Sequence, residues 1–286
     1  MKKNILLFLL TISVCSYSQL LWQITGKCVK SPSFLLGTHS LIPAKALDSV
    51  PGVYRAFNKC NVVISRYNVY TSEANDLIKK AAFLPLSKSI KNYLSDSSYT
   101  NTDIELKRVL KIGLKETALM HPAVIRQMYL SELFNIAVNL SDDAQTDSYF
   151  QHVADIKGFT VIGLENYTNY LNTVYDPAKI QEHATKLAHD VTIAESYKAD
   201  FVKLMQLYRN GNLQNLNNFL TTFTEKIDVV KMQKNFSEGN TEKLKELLNS
   251  NSCFITTDIS QLEGTNGLIA QLRKAGYDVK PYPSTK

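Results

Sequence analysis

The residues able to do chemistry gather where short apolar runs end. The first such stretch is Ser33-Phe34-Leu35-Leu36-Gly37-Thr38-His39-Ser40-Leu41-Ile42-Pro43. An apolar run fit for a buried strand stops at Gly37, which lets the backbone turn, and a hydroxyl, an imidazole and a second hydroxyl follow at once. Ligands of α/β folds sit outside the carboxyl ends of the strands, so His39 and Ser40 fall where a pocket is expected. An imidazole there can move a proton near neutral pH. The second run, Val62-Val63-Ile64, is β-branched throughout and ends in Ser65-Arg66, a hydroxyl beside a guanidinium that can grip an anion. The third, Phe159 to Leu164, closes in Gly163-Leu164-Glu165-Asn166 and brings a carboxylate. The fourth, Cys253 to Thr257, is followed by Asp258 and Gln261. Arg66, Glu165 and Tyr149 together would suit a small anionic or zwitterionic ligand.

Other patterns are weaker. A Ser–His–acid triad would need Ser40 or Ser65, and neither lies in a Gly-x-Ser-x-Gly elbow. In a strand, His39 and Ser40 would point to opposite faces. His183 and His189 are six residues apart and do not stack on one helical face. His121 and His152 have no partner visible in the sequence, and all four read as surface or core residues.

The elements that must position these groups follow from pattern. Leu20 to Thr25 and Ser33 to Leu36 read as two antiparallel strands with turns at Gly26-Lys27 and Ser31-Pro32. Leu47-Asp48-Ser49-Val50-Pro51 opens a helix capped by Ser49. Residues 72–140 are mainly helical. One apolar stripe there runs through Ile104, Leu106, Val109, Leu110 and Leu114, and a second through Val124, Met128, Leu133, Phe134 and Ile136. Met128 and Tyr129 at this spacing read as core rather than as a ligand box. Asp147 opens a helix that Gly158 ends, residues 178–234 are helical with a break at Gly211, and Thr241 to Leu248 is a short helix. Leu268 to Lys274 is the last helix and Tyr277 to Tyr282 the last strand. The expected fold is α/β (α+β): a central mixed sheet with strands from both ends of the chain and a large helical insertion. No period of 20–50 residues recurs, which argues against a solenoid.

The 286-residue chain, 44% hydrophobic and 20% charged, has an ordinary globular composition. Residues 1–18 stand apart: a basic start at Lys2-Lys3, an apolar run from Ile5 to Val14, and small residues at Ser16 and Ser18 before Gln19. That is a secretory leader, too short in its apolar run to span a bilayer, with cleavage expected after Ser18. The expected product is one exported domain, 19–286, periplasmic or secreted. Contact with a membrane is expected only through the leader, or through a lipid on Cys15, whose preceding Val14 is bulky for that chemistry. Without Lys2 and Lys3 the chain has 30 basic and 26 acidic residues, a formal charge of +4. The lysines are dispersed and no Arg-rich stripe exists, so nucleic acid is not an expected partner. A small molecule or a peptide is. Cys28, Cys60 and Cys253 permit at most one disulfide and their spacing makes no zinc knuckle; they read first as small buried apolar residues, with a Cys28–Cys60 bridge as a secondary possibility.

Over residues 20–284 the chain resembles the TraB/GumN family, which is related to the TIKI metalloproteases and, more distantly, to erythromycin-esterase and ChaN-like proteins. The resemblance rests on the order and spacing of several blocks. They are Leu21-Trp22-Gln23-Ile24-Thr25-Gly26, Pro32-Ser33-Phe34-Leu35-Leu36-Gly37-Thr38, Leu47-Asp48-Ser49-Val50-Pro51 and Asp147-Ser148-Tyr149-Phe150. Val161-Ile162-Gly163-Leu164-Glu165, Gly264-Thr265-Asn266-Gly267-Leu268-Ile269 and Gly276-Tyr277-Asp278-Val279 complete it. The resemblance implies two Gly-x-x-His corners, strand-end carboxylates, a tyrosine and an arginine. Such a set holds a divalent metal and activates water for hydrolysis. Tyr149 and Glu165 match it. The first histidine position holds Ser40, with His39 one residue early. The first glutamate position holds Ser65, and the second histidine position holds Gln261, with Asp258 in place of the glycine. The late arginine falls near Phe236. Serine and glutamine are poor substitutes for imidazole on a transition metal. The expectation is therefore a divergent member that binds rather than hydrolyses, with no cofactor. The alternative is a metal-dependent hydrolase using Mn, Co or Zn, with His39, Glu165 and Tyr149 catalytic. In either case Gly37, Ser40, Ser65, Arg66, Asp258 and Gln261 are expected in the pocket.

Overall fold

The computed structural model describes residues 20–26, 29–140, 144–226 and 238–282. The leader, Cys15, Cys28 and Phe236 lie outside the described residues. Strands β1 (Leu21–Thr25) and β2 (Ser33–Thr38) form the expected antiparallel pair, with Leu21 opposite Leu36 and Ile24 opposite Ser33. After α1 (Val53–Phe57) comes β3 (Val62–Ser65), then helices α2 (Ser72–Ala81), α3 (Asp96–Leu110), α4 (Pro122–Val138) and α5 (Thr146–Lys157). β4 (Thr160–Gly163) returns the chain to the sheet. Helices α6 (Tyr167–Val174), α7 (Ile180–Thr192), α8 (Ala194–Asn210), α9 (Leu213–Lys226) and α10 (Glu238–Ser250) follow. β5 (Cys253–Asp258), α11 (Leu268–Lys274) and β6 (Asp278–Pro281) close it.

The six-stranded sheet has the order β4-β3-β5-β2-β1-β6. β4, β3, β5 and β2 are mutually parallel; β1 is antiparallel to β2 and β6 to β1. This is the mixed sheet with strands from both chain ends that the pattern predicts. β2 is covered on both faces: Ser33 through Thr38 are all buried, as an interior strand with helices on each side requires. Phe34, Leu35, Phe254 and Ile255 are wholly buried here, each side chain contributing roughly 1.5–3 kcal/mol by leaving water.

Three local expectations are corrected. Ser49 does not cap α1. It ends a 3-10 turn, Ala44–Ser49, and its hydroxyl donates back to the Ala46 carbonyl at 2.6 Å. Gly52 stands before α1 instead, in the left-handed region at φ 78°. Ile104, Met128 and Ile136 are exposed, not core. α4 is apolar around most of its circumference, and its buried face passes through Ile125, Tyr129, Leu133 and Phe134 against α3, α7 and α8. Finally, Cys60 and Cys253 are free, buried thiols, with burial pushing each up to about 12, so both are inert at neutral pH. Cys28, the other half of the suggested bridge, lies outside the described residues.

The insertion also pairs two histidines that the sequence left single. His121 caps α4: its Nδ1 accepts from the Ala123 N–H at 3.2 Å. His183, on α7, lies with its ring centroid 5.5 Å away. Both are buried, and Nε2 of each has no hydrogen-bond partner. Because Nδ1 of His121 accepts, its neutral ring must carry the proton on Nε2. Burial, then the neighbouring His183, lower His121 to about 4; His183 is lowered too, mainly by burial. The unfolded chain therefore takes up these protons first. Stability is full above about pH 6.5 and is lost as pH falls toward 4, by ~3 kcal/mol for His121. His121→Asn keeps a capping acceptor and removes the titration. Thermal unfolding followed by circular dichroism should show a smaller loss of Tm between pH 7 and pH 4 in that variant than in the parent.

Candidate functional site

Parallel pairing levels four strand ends. Thr38 lies opposite Asp258, and Ser65 opposite Gly163. A cavity of about 90 Å³ opens at that edge. Ser40, Ser65, Arg66, Asp258 and Gln261 line it. Asp147 and Gln151 of α5 form part of its wall.

Its floor is a row of hydroxyls across three strands. Ser65 and Thr256 share a hydrogen bond between their hydroxyls at 2.6 Å. Thr257 donates to the Gln261 side-chain carbonyl at 3.2 Å, and Thr38 to the Thr257 main-chain carbonyl at 3.1 Å. Asp258 turns its carboxylate onto the N–H of Ser260 at 2.9 Å, capping the 3-10 turn that carries Gln261.

One wall belongs to Arg66. Its Nε donates to Glu165 at 2.9 Å, and its guanidinium lies 5.2 Å from the centroid of the Tyr67 ring. Nη1 is buried without a hydrogen-bond partner. Glu165 stands behind Arg66 rather than in the cavity, and its second oxygen accepts from Asn240 of α10 at 2.8 Å. Lys243 of α10 also donates to the Gly163 carbonyl at 2.8 Å, fixing α10 over the β4 corner. Glu165 thus orients the arginine, and Asn166 caps α6.

Other expected site residues lie elsewhere. His39 is buried and does not line the cavity; Ser40 does. The His39 Nδ1 accepts from the Leu41 N–H at 3.2 Å, and its main chain exchanges hydrogen bonds with the Thr146 hydroxyl, both 3.0 Å. Burial lowers its pKa, partly offset by the charge of Asp258, so the ring stays neutral at pH 7. Gly37 is likewise below the cavity. A Cβ there would stand 2.6 Å from a Leu262 methyl and 3.2 Å from the Ile259 side chain, so Leu262 would have to shift to admit one. Tyr149 packs against Tyr54 and Phe150, away from the lining.

Asp147 is the functional candidate that pattern reasoning passed over. As the second residue of α5 it reads as an ordinary acidic group in a helix first turn. Tertiary contacts give it another position: Ala44 and Thr146 donate main-chain hydrogen bonds across to Ala144 and Ile42, both 2.9 Å, and bring the start of α5 against the β2 corner. Burial first, then the nearby Asp258 charge, raise Asp147 to about 6, against hydrogen bonds from the backbone that lower it. Two carboxylates at one cavity can divide acid and base roles, or hold a cation.

The resemblance implies a divalent metal, and the lining does not suit one. Among the described residues no three His, Cys, Asp or Glu side chains are grouped to hold a metal ion. The cavity offers two carboxylates and no imidazole, short of the three protein ligands of a catalytic zinc site.

Gly163 sets the position of the Arg66 loop. A Cβ there would stand 2.6 Å from the Asn68 nitrogen and 3.2 Å from the Tyr67 carbonyl carbon, both backbone atoms that cannot rotate away. Gly163→Ala should cost about 1–3 kcal/mol by forcing β4 and this loop apart. Urea unfolding, read as a lower midpoint at unchanged slope, checks it.

No curated protein and no solved structure matches the chain. Residues 20–281 match the model of the TraB/PrgY/gumN family, and the chain belongs to that family.

Proposed function

We propose that this chain is an exported, divergent TraB/PrgY/gumN protein that acts by binding a small polar ligand and has lost the metallohydrolase site. The observation that carries this reading is the composition of the cavity. The positions where the resemblance places histidine, glutamate and histidine are Ser40, Ser65 and Gln261, and all three line one cavity. They are the right positions with the wrong donors: hydroxyl and amide groups bind polar ligands well but activate neither a metal-bound water nor themselves. Arg66 adds a fixed cation with donors unused by Glu165. Export rests on the leader in residues 1–18, and the exported protein is expected to begin at Gln19 by N-terminal sequencing.

Metal analysis of the purified chain tests the main reading, together with cleavage of a fluorogenic peptide library with Mn²⁺, Co²⁺ or Zn²⁺ added. The expected result is substoichiometric metal and no turnover above the blank. Stoichiometric metal that disappears in Glu165→Ala would overturn it.

One observation favours a second reading, a residual hydrolase. Asp147 and Asp258 share the cavity, and Asp147, raised to about 6, would pass from proton donor to acceptor across that pH. Peptide or ester turnover without metal, rising or falling around pH 6 and lost in Asp147→Asn, would establish it.

A further inference from the structure

The cavity lining carries charge of both signs, a positive and a negative pole. Arg66 forms the first, with its Nε spent on Glu165 and its buried Nη1 without a hydrogen-bond partner among the described residues. Asp147 and Asp258 form the other, and neither is ion-paired with Arg66 or with another cation among the described residues. Glu165 already offsets the Arg66 charge. The cavity therefore carries a surplus of negative charge on the aspartate side, so a purely anionic ligand is disfavoured there. A purely cationic one would leave the buried Nη1 of Arg66 unsatisfied. A ligand with one charge of each sign satisfies both poles.

Size narrows the class. At about 30 Å³ per water, a cavity of about 90 Å³ holds roughly three waters, room for the charged end groups of a small ligand. The hydroxyl of Ser65 and the side chain of Gln261 also line the cavity and can bond a polar side chain.

We infer that the cavity takes a free α-amino acid, or a zwitterion of that size, with its carboxylate on Arg66 and its ammonium between Asp147 and Asp258. This rests on the binding reading above and names its ligand. A cation placed there also offsets the repulsion between the two carboxylates, which adds to burial in raising Asp147.

Isothermal titration of the purified full chain with each of the twenty free L-amino acids tests the assignment. The N-acetyl and the carboxamide forms of the tightest binder are titrated next. The expected result is saturable one-to-one binding of at least one free amino acid. Blocking either end should weaken it by tenfold or more. In Arg66→Met the carboxamide and the free acid should bind alike. In Asp258→Asn the preference for the free amine over the N-acetyl form should shrink, Asp147 alone remaining to hold the ammonium. Blocked ligands probe each pole in the unaltered protein, so a variant that fails to fold does not decide the matter. Failure of all twenty overturns the assignment. A parallel thermal-shift screen with dicarboxylates, polyamines and monosaccharides separates the two levels. A hit there with none among amino acids leaves the binding reading standing without the zwitterion. No hit, combined with metal-dependent peptide cleavage, overturns both.

Discussion

Parallel pairing of β2, β5, β3 and β4 is the constraint on which the rest of the molecule depends. Parallel strands cannot be joined by a tight turn, so each return must travel the length of the sheet, usually through helices. The consequence is that all four strands finish at the same edge. Residues remote in sequence then become neighbours: Thr38 meets Asp258, and Arg66 meets Glu165. The helical insertion follows from the same need, since the chain leaves the sheet after β3 and again after β4 before β5 enters between β3 and β2. The antiparallel strands β1 and β6 contribute nothing to this edge; they extend the sheet beyond β2.

Charge is placed at that edge with care for desolvation. Arg66 and Glu165 are both largely shielded from water, with side chains 13% and 28% exposed. Partly buried ions lose hydration that a single ion pair repays only when further hydrogen bonds complete the set. Here Asn240 satisfies the second carboxylate oxygen, and the Tyr67 ring takes the face of the guanidinium. The pair is therefore a fixed fixture of the wall. Asp147 and Asp258 have no ion-pair partner among the described residues. No imidazole is among the residues that line the cavity.

The four strand-end corners were legible because each combines a periodicity signal with an abrupt change of residue type. Five of the residues named from those corners, Ser40, Ser65, Arg66, Asp258 and Gln261, do line one cavity. His39, Tyr149, Glu165 and Gly37 do not, for a common physical reason. A corner exposes alternate residues to opposite sides, and which side meets the cavity depends on the element packed above it. Thr146 pins the His39 backbone, so that Ser40 falls at the lining. Asn240 holds Glu165 behind Arg66, and Tyr54 draws Tyr149 into an aromatic contact. Asp147 was hidden because an aspartate in a helix first turn has a sufficient local explanation. In the same way, α4 is apolar on too many sides for its pattern alone to say that Met128 and Ile136 would be exposed.

By itself the amino-acid sequence determined the kinds of element, their order, and the families of group available at each strand end. Those properties are local: they follow from periodicity, β-branching and turn residues within a few positions of one another. Tertiary structure alone decided which ends meet, that His121 faces His183, that Glu165 serves Arg66, and that Asp147 shares a cavity with Asp258. Those are contacts across tens to hundreds of residues. They are set by strand order and helix packing, which no short window of sequence contains.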